Sequence, residues 1–169
     1  MNNKAIIGIM AMLILVVLAS GCTSTSANQF TTKDSAGKEM SFTIPAGWTF
    51  EERAPGMVVS GETNKTNHTA VTISKLPTNG ASLEVLKNNA TYVKTGKIVS
   101  EVNRTVDGVQ AYEITTDQMA GALIGKIGEA KDIIFIKNGN VYKISFFTGG
   151  TLQQIQQDID TIVNSFKST

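Results

Sequence analysis

One cysteine, Cys22, and one histidine, His68, are the only side chains in this 169-residue sequence able to supply a thiolate or an imidazole. A single Cys excludes a disulfide framework and a multi-cysteine metal site within the chain, and a single His excludes a multi-histidine zinc site. A Ser-His-Asp or Cys-His arrangement would have to use His68. That residue lies in the polar stretch Asn64-Lys-Thr-Asn-His68-Thr69, where it reads as an exposed loop residue. Carboxylates are the remaining source of acid–base chemistry. Glu51 and Glu52 are adjacent, and Asp158 and Asp160 stand two apart in a helical segment, so neither pair converges, and both read as solvated surface. A pair from more distant positions, such as Asp117 with Glu129, stays open and would permit a carboxylate-only hydrolase or a calcium site. Gly121-Ala-Leu-Ile-Gly125-Lys126 is one residue short of a phosphate-binding loop, and Ile127 stands where Ser or Thr would hold magnesium. Trp48, after Pro45-Ala46-Gly47, is either a stacking platform for a ligand or a core aromatic where a strand turns under a helix. No cofactor and no metal is implied.

The charge balance narrows the partners. Fifteen basic and 14 acidic side chains leave a net charge of +1, which excludes a nucleic-acid binder that works through bulk positive charge. With 41% apolar residues the chain has material for one domain with an ordinary core.

The position of the cysteine explains its presence. Lys4 gives a positive start, Ala5 to Leu18 is an unbroken apolar run containing one Gly, and Ala19-Ser20-Gly21-Cys22 follows. Such a run spans about 21 Å as a helix, short of the roughly 30 Å hydrocarbon core, so it reads as an export signal. Leu18-Ala19-Ser20-Gly21-Cys22 resembles the lipobox of prokaryotic lipoproteins. The resemblance implies that residues 1–21 are a lipoprotein signal peptide, that Cys22 is lipidated and becomes the mature N-terminus, and that the protein sits on the extracytoplasmic face of the cell membrane. A two-chain lipid holds stably, at about 0.8 kcal/mol per buried methylene. Loss of Lys4 with the leader brings the mature chain to net zero. Residues 22–28, small and polar, form a short tether. Four Asn-x-Thr sites, at Asn64, Asn67, Asn89 and Asn103, are candidate glycan acceptors of an exported chain, the first two in what reads as an exposed loop.

The elements that must position these groups come from turns and periodicity. Asn138-Gly139 separates Ile133–Lys137 from Asn140–Phe147, two β-branched and aromatic runs, as a type I′ hairpin does. Asp107-Gly108 separates Ile98–Val106 from Val109–Thr116 in the same way. Shorter strands are expected at Phe30–Thr32, Glu39–Ile44, Met57–Ser60 and Ala70–Leu76. Ser82 caps a helix carrying Leu83, Leu86, Ala90 and Val93 on one face. Thr151-Leu-Gln-Gln154 is a capping box opening a second helix with the apolar stripe Leu152, Ile155, Ile159, Ile162, Val163 and Phe166. Between the hairpin strands, residues 119–128 are unusually apolar for a connection. They either pack on the sheet edge or expose a patch, with Leu123 and Ile124 at its centre, to a partner, a membrane or an apolar ligand.

With Phe42-x-Ile44-Pro45-x-Gly47-Trp48 near the start, Tyr142-x-Ile144 in a late strand and Ser165-Phe166 closing the last helix, residues 29–169 resemble the PsbP-like group of the Mog1/PsbP superfamily. The resemblance implies an α+β fold, an α/β/α sandwich around a central antiparallel sheet with two main helices. It also implies an accessory role without catalysis, and no metal-binding residue of photosynthetic members carries over. The function expected is therefore that of a membrane-anchored extracytoplasmic lipoprotein with a non-catalytic accessory or binding domain, attached through Cys22 and serving an envelope protein partner. A lipoprotein that holds a small ligand in an apolar pocket bordered by Trp48 and residues 119–128 is the alternative.

Overall fold

The computed structural model describes residues 28–88, 96–119 and 125–169. Cys22, Asn89, Leu123 and Ile124, with the leader and all but the last residue of the tether, lie outside the described residues. In chain order the elements are β1 (Gln29–Lys33), β2 (Glu39–Thr43), β3 (Trp48–Ala54), β4 (Val58–Thr63), β5 (Thr69–Pro77), α1 (Leu83–Asn88), β6 (Gly96–Val106), β7 (Val109–Met119), β8 (Lys126–Lys137), β9 (Asn140–Thr148), a 3-10 turn (Leu152–Ile155), α2 (Gln156–Ser165) and β10 (Lys167–Ser168).

Local chemistry sets the turns. Asp107 and Gly108 have φ of 49° and 80°, and Asn138 and Gly139 of 51° and 74°, the left-handed pair that a two-residue hairpin needs. At the β1–β2 turn the Asp34 carboxylate accepts the N–H groups of Ala36 and Lys38, both at 2.9 Å. Ser82 Oγ accepts the Val85 N–H at 3.3 Å and so caps α1. Before α2, Gln154 Oε1 accepts the Thr151 N–H at 2.9 Å, but the turn it closes is a 3-10 turn and the α-helix starts only at Gln156. Phe166 leaves the helix with ψ of 132°, and the extended chain continues as β10 instead of lengthening the stripe.

The strands form two antiparallel sheets, of seven strands in the order β3-β4-β5-β9-β8-β7-β6 and of three in the order β1-β2-β10. With no parallel pair, the fold is α+β. One face of the large sheet carries the main core. Val59, Val71, Ile73, Ala111, Ile133, Phe135, Ile144 and Phe146 pack there against Ile155, Ile159, Ile162, Val163 and Phe166 around α2, and against Met40 and Phe42 of the small sheet. The opposite face carries a second cluster, Ile114 and Ile134 under Leu83 and Leu86 of α1. The two helices thus lie on opposite faces of one antiparallel sheet, and the small sheet shares the α2 face. Residues 119 and 126–128, expected in a connection, extend β7 and β8. No helix among the described residues is long and apolar enough to cross a membrane.

Candidate functional site

Cross-strand register brings distant charges together. β7 is buried on both faces, so Ala111 and Glu113 point to the α2 face and Tyr112 and Ile114 to the α1 face. Glu113 therefore stands in the core region, where it meets Lys131 of β8 at 2.7 Å and Arg104 of β6 at 2.7 Å. The Arg104 Nη2 also donates to Asn164 Oδ1 of α2 at 3.0 Å. Burial alone would push the Glu113 carboxyl up, but the hydrogen bonds from Lys131 and Arg104 together outweigh it and hold it below the ordinary carboxylate range.

Asp158, expected on the surface, is instead buried on α2. Its carboxylate accepts the Trp48 Nε1–H at 2.9 Å and Lys65 Nζ at 2.8 and 2.9 Å. Trp48 is only 6% exposed, and its ring stacks on Phe50 with centroids 5.9 Å apart. The indole face is covered, so Trp48 is a core aromatic that ties β3 to α2 and offers no stacking platform. Asp160, by contrast, is half-buried beside a broad, polar concavity of about 780 Å³ on the outer side of α2, lined also by Gln156, Gln157 and Asn164.

Asp117 and Glu129 do meet: they are register partners across β7 and β8. Lys126 Nζ bridges them, 2.7 Å from Asp117 Oδ1 and 2.6 Å from Glu129 Oε1, and the second Glu129 oxygen accepts the Leu152 N–H at 2.7 Å. Burial would raise the Glu129 pKa, yet the Lys126 and Leu152 hydrogen bonds lower it. A glycosidase pair needs one protonated carboxyl as general acid, and these two share a cation that favours ionisation of Glu129. Asp132, on the α1 face, differs. It accepts from Ser145 Oγ and lies 3.3 Å from Lys143 Nζ, yet burial dominates and raises its pKa. Among the described residues, no cluster of His, Cys, Asp and Glu is arranged to hold a metal ion.

The other sequence candidates sit as follows. His68 is exposed with φ of 48° at the β4–β5 loop, beside a 340 Å³ surface concavity shared with Glu62 and Phe147. Asn64 and Asn67 are exposed, but the hydroxyls of their acceptor sites are occupied. Thr69 is buried and donates to Thr148 Oγ1 at 2.9 Å, and Thr66 Oγ1 hydrogen-bonds Thr69 Oγ1. Asn103 and Thr105 are both exposed on β6, the free edge of the large sheet. Of the described sites, this one presents both the amide and the hydroxyl. Strand-only reasoning missed Arg104, Lys131 and Lys65. Arg104 and Lys131 each stand two residues from the register partners of Glu113, Val102 and Ile133, and Lys65 reaches Asp158 from the β4–β5 loop, so these pairs are legible only once strands and helix are placed.

The large sheet thus carries a helix on each face, and its buried charges form internal pairs. A family model described as PsbP-like protein matches residues 6–168. The chain belongs to the PsbP-like family. Among solved structures, it is similar to the solution structure of cyanobacterial PsbP (CyanoP) from Synechocystis sp. PCC 6803, with 14% identity, 88% of this chain and 98% of that chain covered, and a TM-score of 0.60. It is also similar to LpqN, involved in cell envelope biogenesis of Mycobacterium tuberculosis, with 14% identity, 83% and 90% coverage, and a TM-score of 0.54. At such identities these likenesses show the PsbP-like fold. No curated protein matches the chain.

Proposed function

We propose that this PsbP-like protein is a lipid-anchored accessory protein of the extracytoplasmic membrane face, and that it binds or stabilises another envelope component without catalysing a reaction. The carrying observation is how the described interior uses its charges. Lys75, Glu113, Lys131, Asp132 and Asp158, the buried charged residues, each have an ion-pair partner within 3.3 Å. Such pairs set which strand meets which. The lipobox ending at Cys22 supports the anchor, and the envelope role named for LpqN supports the compartment. The ligand-holding alternative called for an apolar pocket at Trp48 and residues 119–128, of which 120–124 lie outside the described residues. That ring is covered, and the concavity on the β3–β5 part of the sheet, about 360 Å³, is edged by Thr49, Glu51, Arg53 and Glu62. Among the described acceptor sites, Asn103 is the one whose amide and hydroxyl are both exposed, which favours it for a glycan.

The reading is tested by affinity capture from gently solubilised native membranes. A reproducible co-purifying envelope component, lost when the sample is stripped with high salt or detergent, is expected. Repeated recovery of the chain alone would contradict the binding role.

A further inference from the structure

The tether enters the domain at a definable place. The Asn28 carbonyl accepts the Ile44 N–H at 2.6 Å, just before the Pro45–Gly47 turn into β3. From there, register and contacts trace one end of the large sheet. Trp48 pairs with Thr63, Thr63 with Thr69, Glu129 with Thr148, Asp117 with Glu129 and Lys97 with Asp117. Trp48 and Glu129 are also joined through the C-terminal helical segment, by Asp158 of α2 at one contact and the Leu152 N–H of the preceding 3-10 turn at the other. The far corner of this same end carries exposed apolar side chains: Ile98 at 37%, Val99 at 57%, Met119 at 43% and Ile127 at 47% exposure. Lys97 stands exposed among them, and Lys126 is paired with Asp117 and Glu129.

We infer that this corner is a second membrane contact, whose occupant is the lipid bilayer surface. The inference rests on the lipid-anchor reading above. Cys22 and Asn28 are six residues apart, a reach of about 20 Å when extended, while seven strands span roughly 30 Å at about 4.8 Å spacing. A lipid on Cys22 therefore holds the tether end of the sheet within a domain's width of the bilayer. Apolar side chains beside Lys97 suit the headgroup boundary, where the chains enter the acyl region and the Lys97 ammonium meets lipid phosphates. The lipid supplies affinity. The corner at Ile98, Val99, Met119 and Ile127 sets the orientation, with the strand ends of β6–β8 toward the membrane and the β8–β9 turn away from it.

Because Cys22 is the only cysteine, a lipidated chain gains one labelling site from Ile127→Cys. The full lipoprotein carrying that change is labelled with an environment-sensitive fluorophore and placed in 3:1 phosphatidylcholine–phosphatidylglycerol vesicles. Doxyl-lipid quenching at Cys-substituted position 127 is compared with that at Leu76→Cys, an equally exposed apolar site (52%) at the opposite end of the sheet. The expected result is quenching about two-fold or more stronger at position 127 than at position 76. Met119→Cys serves as an independent reporter of the same corner. Equal, weak quenching at all three positions on vesicle-bound protein would overturn the orientation while leaving the anchor intact. Incorporation of two fluorophores per chain would show that Cys22 carries a free thiol, and would overturn the anchor and this inference together.

Discussion

At the scale of single residues, the protein spends polar groups on position. Asp158 holds the Trp48 indole and the Lys65 ammonium at once, so Asp158→Ala leaves a buried donor without an acceptor. It is expected to destabilise the domain by about 2 kcal/mol in urea titrations, followed through the fluorescence of the single tryptophan. Tyr142 gives the opposite case. Its ring is fully buried against Phe135 and Phe166, and its hydroxyl has no partner. Tyr142→Phe removes an unsatisfied donor without changing the packing, and an unchanged or higher unfolding free energy, by up to about 1 kcal/mol, is the expected outcome. Acid titration separates two kinds of carboxylate. Glu113 and Glu129 have lowered pKa values, so their contribution is present above the unfolded-state pKa and fades as pH falls through the folded-state one. Asp132 has a raised pKa, so its contribution is full below the unfolded-state pKa and is lost as pH rises through the folded-state value. Asp132→Asn should therefore raise the melting temperature at neutral pH relative to its effect in acid. A loss larger at neutral pH than in acid would show that the ion pair with Lys143 outweighs burial.

At the scale of elements, turn chemistry was the most legible part of the sequence. Asn138-Gly139 and Asp107-Gly108 announce their hairpins because positive φ at two successive residues demands those types. β3 was not legible, because Glu51-Glu52-Arg53 interrupts the alternation that Trp48 and Phe50 begin. β10 was hidden for another reason. Phe166 fits the helical stripe, yet it packs on Phe135 and Tyr142 from an extended chain, and Ser168 donates to Asp107 Oδ2 at 2.7 Å. The burial of Glu113 and Lys131 was invisible because a strand covered on both faces carries no polar side to read. The glycines also divide by element. At Gly139 an added Cβ meets open space, whereas at Gly56 it would lie 2.1 Å from the Asp34 backbone nitrogen, where the β3–β4 turn presses on the β1–β2 turn. Both have positive φ, so Gly139→Ala should cost about 1 kcal/mol and Gly56→Ala about 3 kcal/mol or more, measured by thermal unfolding. Equal costs would mean the two turns do not bear on each other.

At the scale of the whole molecule, fold and family were legible from hairpin order, two amphipathic helices and the Pro-x-Gly-Trp turn, because these fix an antiparallel sheet with a helix on each face. The partner was not legible, because partner recognition depends on surface shape and not on a short motif. What unites the scales is a neutral body whose buried charges are paired internally, and a chain whose one thiol stands immediately after an apolar run that we read as an export signal. The account predicts that the protein's reactive sulfur is spent on attachment and that its activity lies in what it touches. Intact mass spectrometry of the native protein tests this most directly. The account predicts a chain that begins at Cys22 and carries the added mass of a lipid. A full-length chain from Met1 with an unmodified thiol, recovered from the soluble fraction, would contradict it.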